Sequence, residues 1–164
     1  MKYLENYICQ LIIETKNKKR VIVKKEQNGV VCNFKTPITD TNRPKIYVLK
    51  SVNDIHYVGY TNQSVSTRLS AGLRASGKNG YHGYKWKDID NVDLLIFVFE
   101  KFSDDEKVKE EQKLFIEGIE AELVFKIRTE TGKWPLSQNE IHFNNYKSEE
   151  VRSVTKTLYS EIIK

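Results

Sequence analysis

The run DLLIFVFEKF, residues 93–102, constrains the fold more than any other stretch of the chain. It is nearly continuously apolar and rich in β-formers. Such a segment is most stable as a strand buried on both faces, at the centre of a sheet. The remaining residues must supply its neighbours and its cover.

On the N-terminal side, IYVLK (46–50) and HYVGY (56–60) flank a turn over Ser51–Ile55 and read as an antiparallel hairpin. Ser64 opens a helix in which Val65, Leu69 and Leu73 share one face, ending near Ser76-Gly77. A polar, glycine-rich connector, GKNGYHGYKWKDIDN (77–91), leads into the central strand. Beyond it, Ser103 with Glu106 three residues later forms a capping-box pattern. The helix it starts runs to Thr131-Gly132, with a break expected near Gly118 and an apolar stripe of Phe115, Ile119, Leu123 and Ile127. After the Trp134-Pro135 stop, LSQNEIHF reads as irregular or briefly extended. Residues 148–164 place Val151, Val154, Leu158 and Ile162 on one face of a terminal amphipathic helix.

The first 44 residues read as an extension. Leu4, Tyr7, Ile8, Leu11 and Ile12 fall at helical spacing, which predicts a short helix over 3–15. RVIVKKE and VVCNF around Asn28-Gly29 predict a β-hairpin. TPITDTNRP (36–44) reads as a linker. The whole is an α/β chain, an α+β sandwich with a small sheet. It divides into a basic helix-and-hairpin extension (1–44), a main domain (45–147) and a C-terminal helix packed on it (148–164).

At 164 residues the chain has the length of one embellished domain. No stretch reaches ~18 apolar residues, so no transmembrane helix and no membrane partner are expected. The start, MKYLENYICQ, lacks the pattern of a secretory signal, which points to the cytoplasm. Cys9 and Cys32 read as two small buried thiols in a reducing compartment. Residues 1–44 carry nine Lys/Arg against four Asp/Glu, whereas residues 101–147 carry eight against ten. The densest basic run is Lys16, Lys18, Lys19, Arg20, Lys24 and Lys25, the face a polyanion would feel first. Arg74 and Lys78 join it as candidate DNA contacts, and so does Trp86, because GYHGYKW (80–86) mixes rings for base stacking with cations for phosphate.

The chemistry lies between residues 45 and 68. Tyr47 and Tyr57 stand ten residues apart on the two strands of the hairpin, where they can share one face. Gly59 permits close approach of backbone or substrate. Arg68, one turn into the next helix, can reach back over the sheet edge. Phenols need a positive neighbour to lose a proton near neutral pH, and arginine offers a planar fork to phosphate oxygens.

Lys45-Ile46-Tyr47, Tyr57-Val58-Gly59, Thr61 and Arg68-Leu69 resemble the GIY-YIG endonuclease signature, over roughly residues 45–139. Lys45 stands where that family has glycine, and Val58 where it has isoleucine. The resemblance implies a small three-stranded antiparallel sheet flanked by helices. It also implies one Mg²⁺, with Mn²⁺ as a substitute, held by a carboxylate on a later helix. Glu120 in EAELV matches that position and lies at the edge of the apolar stripe, while Glu122, about 200° further round, reads as solvated. Asn139 in PLSQN is the best match to the asparagine that ends the family's core, with Asn144 and Asn145 as alternatives. Many members carry a histidine shortly after the arginine. Here LSAGLRASG has none, and His82, Tyr60, Tyr84 or Lys85 could supply that group. His56 and His142 read as structural.

The implied activity is metal-dependent hydrolysis of DNA phosphodiesters, in a restriction-like or defence role, with a homodimer for double-strand cleavage. A structure-specific or mobile-element nuclease is the alternative within the class, and a non-catalytic nucleic-acid-binding module the alternative outside it. Spacing does not choose the base between the two tyrosines. The expectation adopted is Tyr47 as general base and Tyr57 positioning the water or the phosphate, with Arg68 stabilising the developing charge.

Overall fold

Strand β6 (Asn91–Phe99) is buried from Leu94 to Phe99 and paired along both edges. The computed structural model describes residues 1–76, 84–138, 141–144, 146 and 148–164. On one side β6 pairs with β4 (Lys45–Lys50), which pairs in turn with β5 (Ile55–Thr61). On the other it pairs with β1 (Tyr3–Lys16), followed outward by β2 (Lys19–Gln27) and the two-residue β3 (Val30–Val31).

The result is one antiparallel sheet of six strands in the order β3-β2-β1-β6-β4-β5. This corrects the expected three-stranded sheet, although the class remains α+β. It also corrects the expected helix over residues 3–15. Tyr7, Cys9, Leu11 and Ile13 alternate as well as Leu4, Ile8 and Ile12 follow a helical period, so local pattern alone does not separate the two. Long-range pairing decides, from Tyr3 opposite Phe99 to Ile12 opposite Asn91. In a three-stranded sheet β6 would leave an apolar edge open to aggregation, and β1 closes it. Leu4 and Ile8, which a helix would have buried, remain 45% and 44% exposed.

Both N-terminal turns use positive φ. Asn17 and Lys18 (φ 51° and 61°) join β1 to β2, and Asn28 and Gly29 (φ 52° and 77°) join β2 to β3. Paired left-handed residues suit the twist of a two-residue hairpin. The expected hairpin around Asn28-Gly29 is therefore present, but its second strand is short.

Two layers cover the sheet. Helix α1 (Val65–Arg74) and a 3-10 turn (Lys85–Asp88) lie on one face, over Leu11, Ile13, Tyr47, Leu49 and Leu94. Helices α2 (Glu106–Thr131) and α3 (Ser148–Ile162) lie on the other, over Ile46, Val48, Val58, Leu95 and Phe97. Ser64 stands at the N-cap of α1 without a side-chain cap bond. For α2 the cap is Asp105, not Ser103: its Oδ1 accepts from the Lys107 and Val108 amides at 2.9 and 3.1 Å. Ser103 instead accepts from the Asp105 amide. The helix runs unbroken through Gly118, where a Cβ would sit 3.3 Å from Val151 of α3. Among the described residues no helix is long and apolar enough to cross a membrane.

The free edge of β5 is covered by the chain after α2. The Leu136 and Ser137 amides donate to the Ile55 and His56 carbonyls at 3.0 and 2.8 Å. That edge carries the site.

Candidate functional site around the β5 edge

The β4–β5 register puts Tyr47 opposite Gly59 and Leu49 opposite Tyr57, so both phenols rise from the α1 face as diagonal neighbours. Their ring centroids are 6.0 Å apart. No larger residue fits at Gly59, where a Cβ would lie 2.6 Å from the Tyr47 and Tyr57 rings. From α1, the Arg68 Nε donates to the Tyr47 hydroxyl at 3.4 Å.

Tyr84 completes this half of the site. Its hydroxyl shares a 2.8 Å hydrogen bond with that of Tyr47 and donates to the Arg68 carbonyl at 3.4 Å. The Arg68 guanidinium lies 5.7 Å from its ring centroid. Tyr84 stacks on Trp86, 4.7 Å between centroids, and packs on the backbone of α1, where a Cβ at Gly72 would come within 2.0 Å of it. A glycine inside a helix costs about 1 kcal/mol relative to alanine, so Gly72 is the sequence signal that a ring lies on this helix. Trp86 is fully buried, so the ring available to DNA is not this indole.

The two phenols differ in environment. Tyr47 is fully buried, and burial together with the Tyr84 hydroxyl pushes its pKa well above the ordinary value, against the pull of Arg68. Tyr57 is only partly buried.

Glu120 approaches from the opposite face, on α2. Its carboxylate accepts from the Tyr60 amide on the outer edge of β5. Burial raises its pKa to about 7, and Arg68 acts in the opposite direction. Arg68 therefore interacts with Tyr47 on one face and, through space, with Glu120 on the other. Glu120, Tyr60, Glu117, Gln138 and His142 line a cavity of about 410 Å³. Burial and the charges of Glu117 and Glu120 lift the Tyr60 phenol to about 12. Gln138 Oε1 accepts from the Val58 amide at 3.2 Å, so two outward amides of β5 are met by side chains.

Among the described residues no three His, Cys, Asp or Glu side chains cluster to hold a metal ion. One carboxylate in an open cavity, with a second carboxylate and an amide nearby, suits a hard cation that keeps most of its waters. That donor set fits Mg²⁺.

Lys45 takes the place of a glycine in the resemblance and is fully buried. Its ammonium donates to the carbonyls of Asp40, Arg43 and Gln63 at 2.5, 2.8 and 3.0 Å. Burial lowers its pKa to about 8, with Asp40 opposing. The side chain ties the start of β4 to the approach of α1.

Lys78, His82, Asn139 and Asn145 lie outside the described residues. Asn144 donates to the Leu114 carbonyl and reads as structural. Lys85 is exposed at the start of the 3-10 turn. Lys16, Lys18 and Lys19 are exposed around the β1–β2 turn. Arg20 is a tie, donating to the Lys87 carbonyl and to Asp90 at 2.8 and 2.7 Å, and Lys24 pairs with Glu26. On the α1 face, α1 and the 3-10 turn carry four Lys/Arg against one Asp/Glu, and Arg20 and Lys25 of β2, paired opposite Thr15 and Leu11, join them. On the other face α2 and α3 carry seven against ten.

The sequence reading missed Glu117, Gln138 and His142 as neighbours of Glu120. His142, expected to close the core, is exposed on the cavity rim. Glu117 could have been found, being three residues before Glu120 on the same helix face. Gln138 and His142 carry no local signal, because only the return of the chain along β5 brings them there. His56 is buried, its Nε2 bonded to Ser51 Oγ at 2.9 Å. Glu122 meets Arg152 of α3 at 3.6 Å.

No protein-family model matches the chain, and neither a curated protein nor a solved structure matches it.

Proposed function

We propose that this chain is a GIY-YIG-type endonuclease that hydrolyses DNA phosphodiesters with Mg²⁺, in a restriction or defence setting. The observation that carries the reading is the phenol pair, Tyr47 and Tyr57 with ring centroids 6.0 Å apart, and the Arg68 Nε that donates to the Tyr47 hydroxyl at 3.4 Å. Tyr47, Tyr57, Arg68 and Glu120 are the residue types a phosphodiester site needs, and the α1 face beside them is basic.

In this reading Tyr57 is the general base. It is the more exposed phenol, partly buried where Tyr47 is fully buried. As the phenolate it takes a proton from the water that attacks phosphorus; the bond from phosphorus to the 3′ oxygen breaks, and that oxygen leaves and is protonated from solvent. Tyr47 is a positioning residue, because its buried hydroxyl holds both Arg68 and Tyr84. Arg68 faces the charge that grows on the phosphate oxygens, the kind of stabilisation that usually contributes most. Glu120 and the cavity beside it would hold Mg²⁺, which when bound supplies positive charge for the leaving oxygen. A cytoplasmic setting and a homodimer for double-strand cleavage belong to the same proposal.

One observation favours a non-catalytic nucleic-acid-binding module instead. Glu120 already serves a structural purpose, closing the β5 edge at the Tyr60 amide. Incubation of supercoiled plasmid with Mg²⁺ separates the two readings. The nuclease nicks it, and Arg68→Ala and Glu120→Ala proteins do not. Variants that nick as fast as wild type would sink the nuclease; retention of DNA without any cutting would favour the module.

A further inference from the structure

A cleft of about 230 Å³ lies between α1 and β2, on the basic face. Its floor is aliphatic, made by Ile22, Leu69 and Leu73, and Phe34 stands at its side. Lys25 and Arg74 flank it, with the Ser70 hydroxyl on the rim. Lys25 rests over the Phe34 ring, 5.2 Å from its centroid, and Arg74 Nε donates to the Ser70 carbonyl at 3.1 Å. Arg20 closes one end, but its guanidinium is engaged by Lys87 and Asp90, so it is wall and not ligand.

Helix α1 separates this cleft from the tyrosines. Ser70 lies two residues after Arg68, about 200° round the helix, so the two look to opposite flanks. A helix with side chains is roughly 10–12 Å across. A strand with one phosphate at Arg68 that crosses α1 brings a nearby nucleotide over the cleft.

The composition of the cleft selects what enters. Phosphates gain nothing from Ile22, Leu69, Leu73 and Phe34, whereas a base gains stacking and burial there. Bases stacked and paired inside a duplex cannot reach the floor. We propose that the α1–β2 cleft binds one unpaired nucleotide of the substrate strand. The base lies against Phe34 and the aliphatic floor, and the phosphate meets Lys25 and Arg74. The ammonium of Lys25, now over the ring, moves to the phosphate as the base enters. The inference rests on the nuclease reading for the path of the strand; within that class it favours the structure-specific alternative over a restriction role, with junctions between duplex and single strand as the preferred substrates.

Fluorescence anisotropy with no divalent cation, at one fixed salt concentration, tests it. Three probes are compared: a short duplex, the same duplex with a single-stranded flap, and that flap built from abasic sugar-phosphate. The flap duplex is expected to bind about tenfold tighter than the plain duplex, and the abasic flap to lose that gain. Ser70→Trp, which fills the cleft from its rim, should abolish the preference while leaving duplex affinity and Tm unchanged. Equal affinity for flap and duplex overturns the proposal. So does an abasic flap as tight as the natural one, which would make the cleft a phosphate clamp, or a Ser70→Trp protein that keeps the preference. Flap preference without any Mg²⁺-dependent cutting would remove the nuclease and leave the subsite; cutting without flap preference would do the reverse.

Discussion

Gly59 stands directly opposite Tyr47 in the β4–β5 pair, and a Cβ there would come within 2.6 Å of the Tyr47 hydroxyl. The hairpin and the phenol cluster are therefore packed as one unit. Gly59→Ala should push Tyr47 and Tyr57 apart. Displacements near 1 Å cost about 100-fold in rate, while overpacking costs about 1–3 kcal/mol of stability. Plasmid nicking should therefore fall about 100-fold in a protein whose melting curve stays cooperative. Unchanged nicking would show that the phenols take no part.

The two tyrosines should separate kinetically. Loss of a general base costs about 10²–10⁴-fold, and that loss is expected for Tyr57→Phe. Tyr47→Phe removes two hydrogen bonds, to Arg68 and Tyr84, and should cost less, about tenfold. Single-turnover cleavage rates decide, and the reverse order would return the base role to Tyr47.

Glu120 makes stability depend on pH. Its folded pKa of about 7 lies above the ordinary 4.5, so the folded state binds more protons between those values. Stability should therefore fall as pH rises from about 4.5 through about 7 and then level off. Glu120→Gln should flatten that slope and raise stability at pH 8, by an amount on the order of 2 kcal/mol. Urea unfolding at pH 5 and pH 8 reads the difference; a variant that keeps the wild-type slope would show that another group titrates.

Lys45→Met should destabilise. It leaves the carbonyls of Asp40, Arg43 and Gln63 without their shared donor, at about 1–3 kcal/mol for such groups when buried. The start of α1 should loosen first, seen as faster amide exchange from Ser64 to Arg68. Unaltered exchange there would separate the lysine from the positioning of Arg68.

The exposed turn between β1 and β2 should contribute to DNA affinity through charge alone. Replacing Lys18 and Lys19 by alanine should reduce the slope of log affinity against log salt by about 1.8, at ~0.9 per phosphate contact on duplex DNA. A slope unchanged in the double variant would place the DNA elsewhere.

Much of this fold was legible locally. The β4–β5 hairpin, the course of α2 to Gly132 and the stripe of α3 follow from residues close together, whose periods are unambiguous. The ten-residue spacing of Tyr47 and Tyr57 sets their shared face for the same reason. Other features were decided only by distant parts of the chain. Residues 3–15 carry both a helical and an alternating period, and pairing with β6, whose second edge would otherwise be open, selects the strand. Tyr84 reaches Tyr47 because Gly72 admits its ring onto α1. Glu120 meets the Tyr60 amide at the outer edge of β5, on the opposite face of the sheet from Arg68 and Tyr47. Hydrogen-bond partners across a sheet and electrostatic neighbours around its edge are long-range relations, and no local period encodes them.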